Sequence, residues 1–227
     1  MKPLSIRDLK VRRGAFELDI PNLDLEPGTI VGLVGRNGAG KTTLLEAVVG
    51  LLAPDSGTVR TFGLDPVADP VAVRRRVCLM TDDMPLFNLK VGELMRALAP
   101  FYPTWDTELT ARLFQVFELD AGRKIATLSK GENTRVRLAL SLAWRPELVL
   151  LDEPATGLDV PSRRRMLAEV LEVVKDATRT VFVSSHDAAD LERICDRIVI
   201  VERGKVVADG PTLEVVGEGR TLEERLA

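Results

Sequence analysis

Ile30-Val31-Gly32-Leu33-Val34-Gly35-Arg36-Asn37-Gly38-Ala39-Gly40-Lys41-Thr42-Thr43-Leu44-Leu45-Glu46-Ala47-Val48-Val49 opens as a short apolar run, passes through a glycine-rich loop and closes on a helix-like pattern. The spacing Gly35-x-x-x-x-Gly40-Lys41-Thr42 is that of a P-loop. The residue types follow from the task of holding a polyphosphate. Several backbone N–H groups must point into one concavity, and side chains would block that approach, so Gly35, Gly38 and Gly40 carry none. The helix that follows adds unpaired amides and the positive end of its dipole. Lys41 brings a mobile charge to the β- and γ-phosphates, worth on the order of 4 kcal/mol at about 4 Å and an effective dielectric near 20. Thr42 offers a hydroxyl to Mg²⁺. A chance match to this spacing is on the order of one in a hundred at ordinary glycine content.

Working outward, strand-like and helix-like stretches alternate. Leu4 to Val11 and Phe16 to Leu25 read as antiparallel strands, and Pro27-Gly28 as the turn before Ile30–Val34. Thr58–Phe62 is a short strand, Pro66–Arg76 a helix, and Val77–Met80 a buried strand. From Val91 to Leu142 the apolar spacing is helical. Leu148–Leu151, Thr180–Val183, Ile198–Val201 and Lys205–Ala208 then return as strands, with helices over Pro161–Lys175 and Asp187–Cys195 between them. Arg203-Gly204 marks a hairpin, and the tail from Thr212 reads as short and charged. The fold class is α/β: a mostly parallel P-loop NTPase sheet, an N-terminal antiparallel β subdomain, and an inserted α-helical subdomain. The domain reading is a single domain, with 1–82 and 146–227 as core and 83–145 as the helical insert.

The bulk composition narrows the function classes. The chain has 227 residues, 45% of them hydrophobic, and a net charge of −3. That balance argues against a nucleic-acid surface, and Arg74–Arg76 and Arg163–Arg165 read as solvated helix faces. Two cysteines make no disulfide framework; Cys78 and Cys195 read as small buried hydrophobes in a reducing compartment. The start of the chain lacks an apolar signal region, and no run approaches the roughly 20 residues that cross a bilayer. Work at a membrane would therefore need another subunit.

Two further constellations carry chemistry. Leu148-Val149-Leu150-Leu151 ends in Asp152-Glu153-Pro154, which in a parallel sheet places two carboxylates beside the P-loop. Asp152 suits the Mg²⁺ shell, and Glu153 suits a base that orients or deprotonates an in-line water. Ser129 and Glu132 form a capping-box pattern, and the same serine, Gly131 amide and helix tip also make a second phosphate-binding surface. His186 is the one histidine. It follows the Val181–Val183 strand at the same sheet edge, which suits a γ-phosphate sensor.

Gly35–Thr43, Leu128–Glu132, Leu150–Pro154, Thr156-Gly157-Leu158-Asp159 and Ser185-His186-Asp187, in this order, resemble the ATP-binding subunit of an ABC transporter. The resemblance covers nearly the whole chain. It implies that Gly35, Arg36, Asn37, Gly38, Ala39, Gly40, Lys41, Thr42 and Thr43 are the Walker A loop, Asp152 the Walker B aspartate and Glu153 the catalytic glutamate. It makes Ser129, Lys130, Gly131 and Glu132 part of the signature, Asp159 the D-loop aspartate and His186 the switch histidine. It further implies ATP and Mg²⁺ as ligands, a second ATP-binding subunit as partner in a homo- or heterodimer, and a separate integral permease. The protein would then be cytoplasmic, held on the inner face of the membrane by that permease. Phe101–Asp106 and Lys130 resemble the branch pairing with ABC-2-type permeases, often exporters.

Three departures stand out. The signature reads Ser-Lys-Gly-Glu rather than Ser-Gly-Gly-Gln. Asp82 occupies the position of the Q-loop glutamine, within reach of Mg²⁺ or water. Arg13 stands where an aromatic side chain stacks on adenine, with Phe16 as the alternative contact. Two other function classes are weaker fits. A soluble clamp on nucleic acid or ribosomes lacks its coiled coil and basic patch, and a non-hydrolysing nucleotide sensor would not need Asp152, Glu153 and His186 together.

Overall fold

The computed structural model describes residues 1–156, 158–174, 179–217 and 221–222. Gly157 and Lys175, which belong to the motif and the helix expected above, lie outside them. The chain separates into two compact units, one of Met1–Leu79, Glu147–Glu153 and Ala177–Ala227, the other of Met80–Pro146 and Pro154–Asp176.

The first unit is built on strands β1 (Leu4–Arg13), β2 (Phe16–Leu25), β3 (Ile30–Val34), β4 (Ser56–Thr61), β5 (Val77–Met80), β6 (Leu148–Asp152), β7 (Thr180–Ser185), β8 (Arg197–Glu202) and β9 (Lys205–Pro211). They form one nine-stranded sheet in the order β4-β1-β2-β9-β8-β3-β7-β6-β5. β1 pairs antiparallel with β2 and β4, while β3 pairs parallel with β7 and β8, and β6 parallel with β7. The antiparallel part joins the rest through the β2–β9 pairing, registered at Asp19 and Lys205. Every residue of β6 is buried, the pattern of a strand covered on both faces. Around the sheet, Leu4, Ile6, Leu18, Ile20, Leu33, Leu44, Leu45, Leu150 and Phe182 form a continuous apolar core. Helix α1 (Lys41–Val48) buries Leu44, Leu45, Ala47 and Val48.

The hairpin between β8 and β9 turns at Arg203 and Gly204, with φ of 46° and 81°. Two successive positive φ values are the type I′ geometry whose twist matches its strands. Gly204 has a second constraint, because a Cβ there would overlap the carbonyl oxygen of Glu17.

Three local expectations need correction. The helix expected over Pro66–Arg76 is α2 (Pro70–Arg74), because the Asp65 carboxylate accepts from the N–H groups of Val67 and Ala68 and holds them in a turn. The helix expected over Asp187–Cys195 is α7 (Ala188–Glu192), closed by turn bonds from Ile194 and Cys195 to the Leu191 carbonyl. The tail is not merely a charged strip, since α8 (Thr212–Val216) buries Thr212, Val215 and Val216.

The second unit is helical, with α3 (Val91–Leu98), α4 (Thr107–Val116), α5 (Lys130–Leu142) and α6 (Val160–Val174). Leu94, Leu113, Phe117, Val136, Leu138 and Met166 are among its buried side chains. Tyr102 stacks on Trp144 with ring centroids 4.8 Å apart.

Candidate functional site

The strand order β3-β7-β6 decides what meets. The loop after β3, the end of β6 and the residue after β7 emerge from parallel neighbours, with Val34 registered on Ser185 and Asp152 on Ser184. Ligands of such sheets bind at these carboxyl ends. Here that edge holds the P-loop, Asp152, Glu153 and His186 together. A cleft of about 460 Å³ opens there, and Arg13, Phe16, Asn37, Gly38, Lys41, Thr42 and Glu153 are on its walls.

The glycines of the loop differ in their reasons. Gly40 has φ 110°, and a Cβ on it would lie 2.8 Å from Cζ of Phe16. A Cβ on Gly35 would overlap the carbonyl oxygen of Val201. Gly38 has φ 80° with open space beside it, so what it contributes is backbone conformation and an unobstructed amide. Gly204 N–H donates to Ala39 O at 2.9 Å and braces the loop from the β8–β9 hairpin. The first amides of α1 have no intrahelical acceptor, which leaves them for an anion.

Lys41 is buried, 5% exposed. Its Nζ donates to Gly35 O at 2.7 Å and lies 3.0 Å from Glu153 Oε1. The other Glu153 oxygen is 2.5 Å from His186 Nδ1. Lysine, carboxylate and imidazole thus form one chain of contacts at this sheet edge. Glu153 adopts φ 47°, a left-handed backbone that costs a non-glycine residue of order 1 kcal/mol or more. Its N–H donates to Ser184 Oγ at 3.0 Å, which holds the strained turn.

Thr42 Oγ1 donates to Asp152 Oδ2 at 2.6 Å, and Ser184 Oγ donates to Asp152 Oδ1 at 2.6 Å. The sequence reading missed Ser184. The available signal was its place one residue before Ser185-His186 on a strand parallel to the one ending in Asp152. Mg²⁺ prefers oxygen donors and keeps several waters beside one or two protein ligands and phosphate oxygens. The Thr42 hydroxyl and Asp152 carboxylate fit that demand. Among the described residues no group of three or more His, Cys, Asp or Glu gathers as a protein-only metal cage.

In the second unit, Ser129 caps α5 reciprocally: Ser129 Oγ accepts from Glu132 N, and Glu132 Oε2 accepts from Ser129 N at 2.8 Å. These bonds from Ser129 hold the Glu132 carboxyl below its usual range. The capping box is therefore formed, with Ser129 and Gly131 at the helix tip. A Cβ on Gly131 would come 3.1 Å from Leu158. Asp159 accepts from Ser162 N and Ser162 Oγ at 2.9 and 2.8 Å, which lowers its carboxyl and caps the start of α6. Asp82, expected to reach metal or water, lies with Oδ2 3.0 Å from Lys130 Nζ. Two departures from the family pattern are thus each other's partners. Their side chains are 40% and 52% exposed, so the pair contributes well under 1 kcal/mol.

A family model described as ABC transporter matches residues 18–156. The thiamine import ATP-binding protein ThiQ of a Jannaschia species is 35% identical over 94% of this chain and 95% of its own length. The daunorubicin/doxorubicin resistance ATP-binding protein DrrA of Streptomyces peucetius is 33% identical over 91% of this chain; the chain spans 64% of that relative. A solved structure described as the ATP binding subunit of an ABC transporter superposes with a TM-score of 0.85 at 27% identity, covering 97% of this chain and 96% of the other.

Proposed function

This chain belongs to the ABC transporter family as an ATP-binding subunit of a family of ATPases, and from that premise we propose that two such subunits close head to tail on two Mg²⁺-ATP and drive a separate membrane permease. The observation that carries the reading is the convergence of Lys41, Thr42 and Glu153 on one cleft, with Asp152 bonded to Thr42 and His186 to Glu153 at the same sheet edge.

Each residue has a task set by its chemistry. The Walker A amides and Lys41 hold the triphosphate. Thr42 and Asp152 hold Mg²⁺, which neutralises charge between the β- and γ-phosphates. Glu153 orients a water in line with the γ-phosphate and accepts its proton. His186, hydrogen-bonded to Glu153, holds that carboxylate and senses the γ-phosphate. Ser129 and Gly131, with Lys130 and Glu132 beside them, face the nucleotide of the partner subunit, and Asp159 lies on the same closing face. Asp82 lies beside Lys130 as a weak, solvent-screened partner. The helical residues 83–145 dock on the permease.

No helix among the described residues is long and apolar enough to cross a membrane; the membrane-spanning part of the proposed assembly is the separate permease. A place on the inner face of the membrane follows from that permease. We assign the ABC-2 branch and outward transport. Support comes from Phe101–Asp106, from Lys130, and from the likeness to the daunorubicin/doxorubicin resistance protein. The likeness to a thiamine import protein makes import the competing direction.

ATPase rate per mole of protein, measured against protein concentration, tests the reading. Cooperative closure requires the specific rate to rise with concentration and with added permease. A specific rate that stays constant on dilution would remove the trans role of Ser129. Failure to bind ATP with magnesium present would remove the whole reading.

A further inference from the structure

Glu132 puts a carboxylate in the first turn of α5, three residues after Ser129. Its Oε2 is committed to the Ser129 N–H at 2.8 Å. Its Oε1 accepts from Nη1 of Arg123. The other arm of the same guanidinium, Nη2, donates to the Thr127 carbonyl at 2.9 Å. Arg123 therefore grips the chain on both sides of Ser129, at Thr127 before it and at Glu132 after it. Lys130, on the same turn, carries its charge to Asp82 instead, with Nζ 3.0 Å from Oδ2.

The backbone that carries Arg123 is itself fastened. Val91 N donates to Arg123 O, Gly92 N to Ala121 O and Ile125 N to Leu89 O, each at 3.0 Å. Lys90 and Lys124 form a bridge at the centre of these bonds, so residues 121–125 lie along the start of α3. A planar fork raised from a fixed backbone is already arranged for both of its acceptors. Arg123 and Glu132 remain 40% and 35% exposed, so the ion pair adds little to stability by itself. Its larger consequence is the charge at the helix tip. The amides and dipole of a helix start attract an anion, and an uncompensated carboxylate beside them opposes one. A glutamine at this position would cap the same N–H without bringing a charge. Glutamate brings one, and Arg123 supplies its counter-charge.

Resting on the reading that Ser129 meets the triphosphate of a partner subunit, we infer that Arg123 is a positioning residue for that contact, which neutralises Glu132 and holds the Ser129 turn so that the phosphates can approach. The test is the ATPase rate of the full chain with magnesium, followed against protein concentration, beside equilibrium ATP binding to the dilute protein. Arg123→Ala should lower the specific rate about ten-fold or more and move its rise to higher protein concentration, because like charges across a closing face oppose association. ATP affinity of the dilute variant should equal that of the parent, since the P-loop lies in the other compact unit. Adding Glu132→Gln to Arg123→Ala should recover most of the lost rate, a rescue that a purely structural brace would not give. Arg123→Lys, which keeps the charge and gives up the fork, should stay within about three-fold of the parent.

The inference is overturned by an unchanged rate in Arg123→Ala, by a loss that Glu132→Gln does not recover, or by weakened ATP binding in the dilute variant. It is equally overturned if Arg123→Lys loses as much as Arg123→Ala. If the parent rate rises with concentration while the variants give any of these results, the role of Arg123 falls and the trans reading of Ser129 stands. A parent specific rate that stays constant on dilution removes that reading, and this inference with it.

Discussion

Lys41 Nζ lies 3.0 Å from Glu153 Oε1, so the residue proposed to hold the phosphate and the residue proposed to activate water form an ion pair with each other. Both side chains are largely buried, 6% and 19% exposed. On the proposed roles, a γ-phosphate entering the loop would compete with Glu153 for Lys41. Glu153→Gln would then remove both the ion-pair partner and the proposed base. ATP affinity should be at least that of the unsubstituted protein, while hydrolysis falls about 10²- to 10⁴-fold, the range lost with a general base. Calorimetry beside a phosphate-release assay checks this; full turnover in the variant removes Glu153 from its role.

Ser184 joins the two carboxylates, donating to Asp152 and accepting from the N–H of Glu153. It is fully buried. Ser184→Ala leaves a carboxylate oxygen and a strained backbone N–H without this partner. The cost should be about 1–3 kcal/mol of stability. Magnesium-dependent ATP affinity should fall more than affinity for ATP without metal. Urea denaturation and paired titrations separate the two effects, and an unchanged midpoint contradicts the bridging role.

Gly204 leaves no room for a Cβ beside the Glu17 carbonyl and braces the phosphate loop through Ala39 O. An alanine there meets both a positive φ and a backbone oxygen. Gly204→Ala should lower stability by at least about 2 kcal/mol and weaken ATP binding, although the residue is outside the P-loop. A stability and affinity equal to those of the parent protein would show that the hairpin yields freely.

Asp24 provides a pH prediction. The Arg7 guanidinium, with Lys2 beside it, holds the Asp24 carboxyl well below its ordinary 3.8. A depressed folded value means that the stabilisation is complete above about pH 4 and is lost as pH falls further. Solvent around Arg7 screens the pair, so its worth is roughly 1 kcal/mol. Asp24→Asn should therefore lower the denaturation midpoint at pH 7, by a difference that shrinks as pH falls from 4 towards 2. A difference that stays constant over that range assigns the effect to packing instead.

Much of the core was legible because its signals are local. β3, the P-loop and α1 are contiguous, and their spacing encodes both backbone freedom and chemistry. The wholly apolar Leu148–Leu151 run fits a fully covered strand, and Arg203-Gly204 fits a two-residue turn. Helix ends were less legible. Asp65 captures two amides that a propensity reading assigns to a helix, and only the side chain's orientation reveals it.

The sequence by itself determined the glycine-rich loop between β3 and α1, the lysine that follows it and the two carboxylates at the end of the apolar β6 strand, because each of these depends on residue type at fixed short spacing. Tertiary structure alone decided that Ser184 links Asp152 to Glu153, that Asp82 lies beside Lys130, and that Glu46 lies beside Arg13. Each of those pairs is separated by tens of residues along the chain. Strand order and register bring Ser184 to Asp152, while side-chain packing brings the other partners within 4 Å, and no local pattern encodes either.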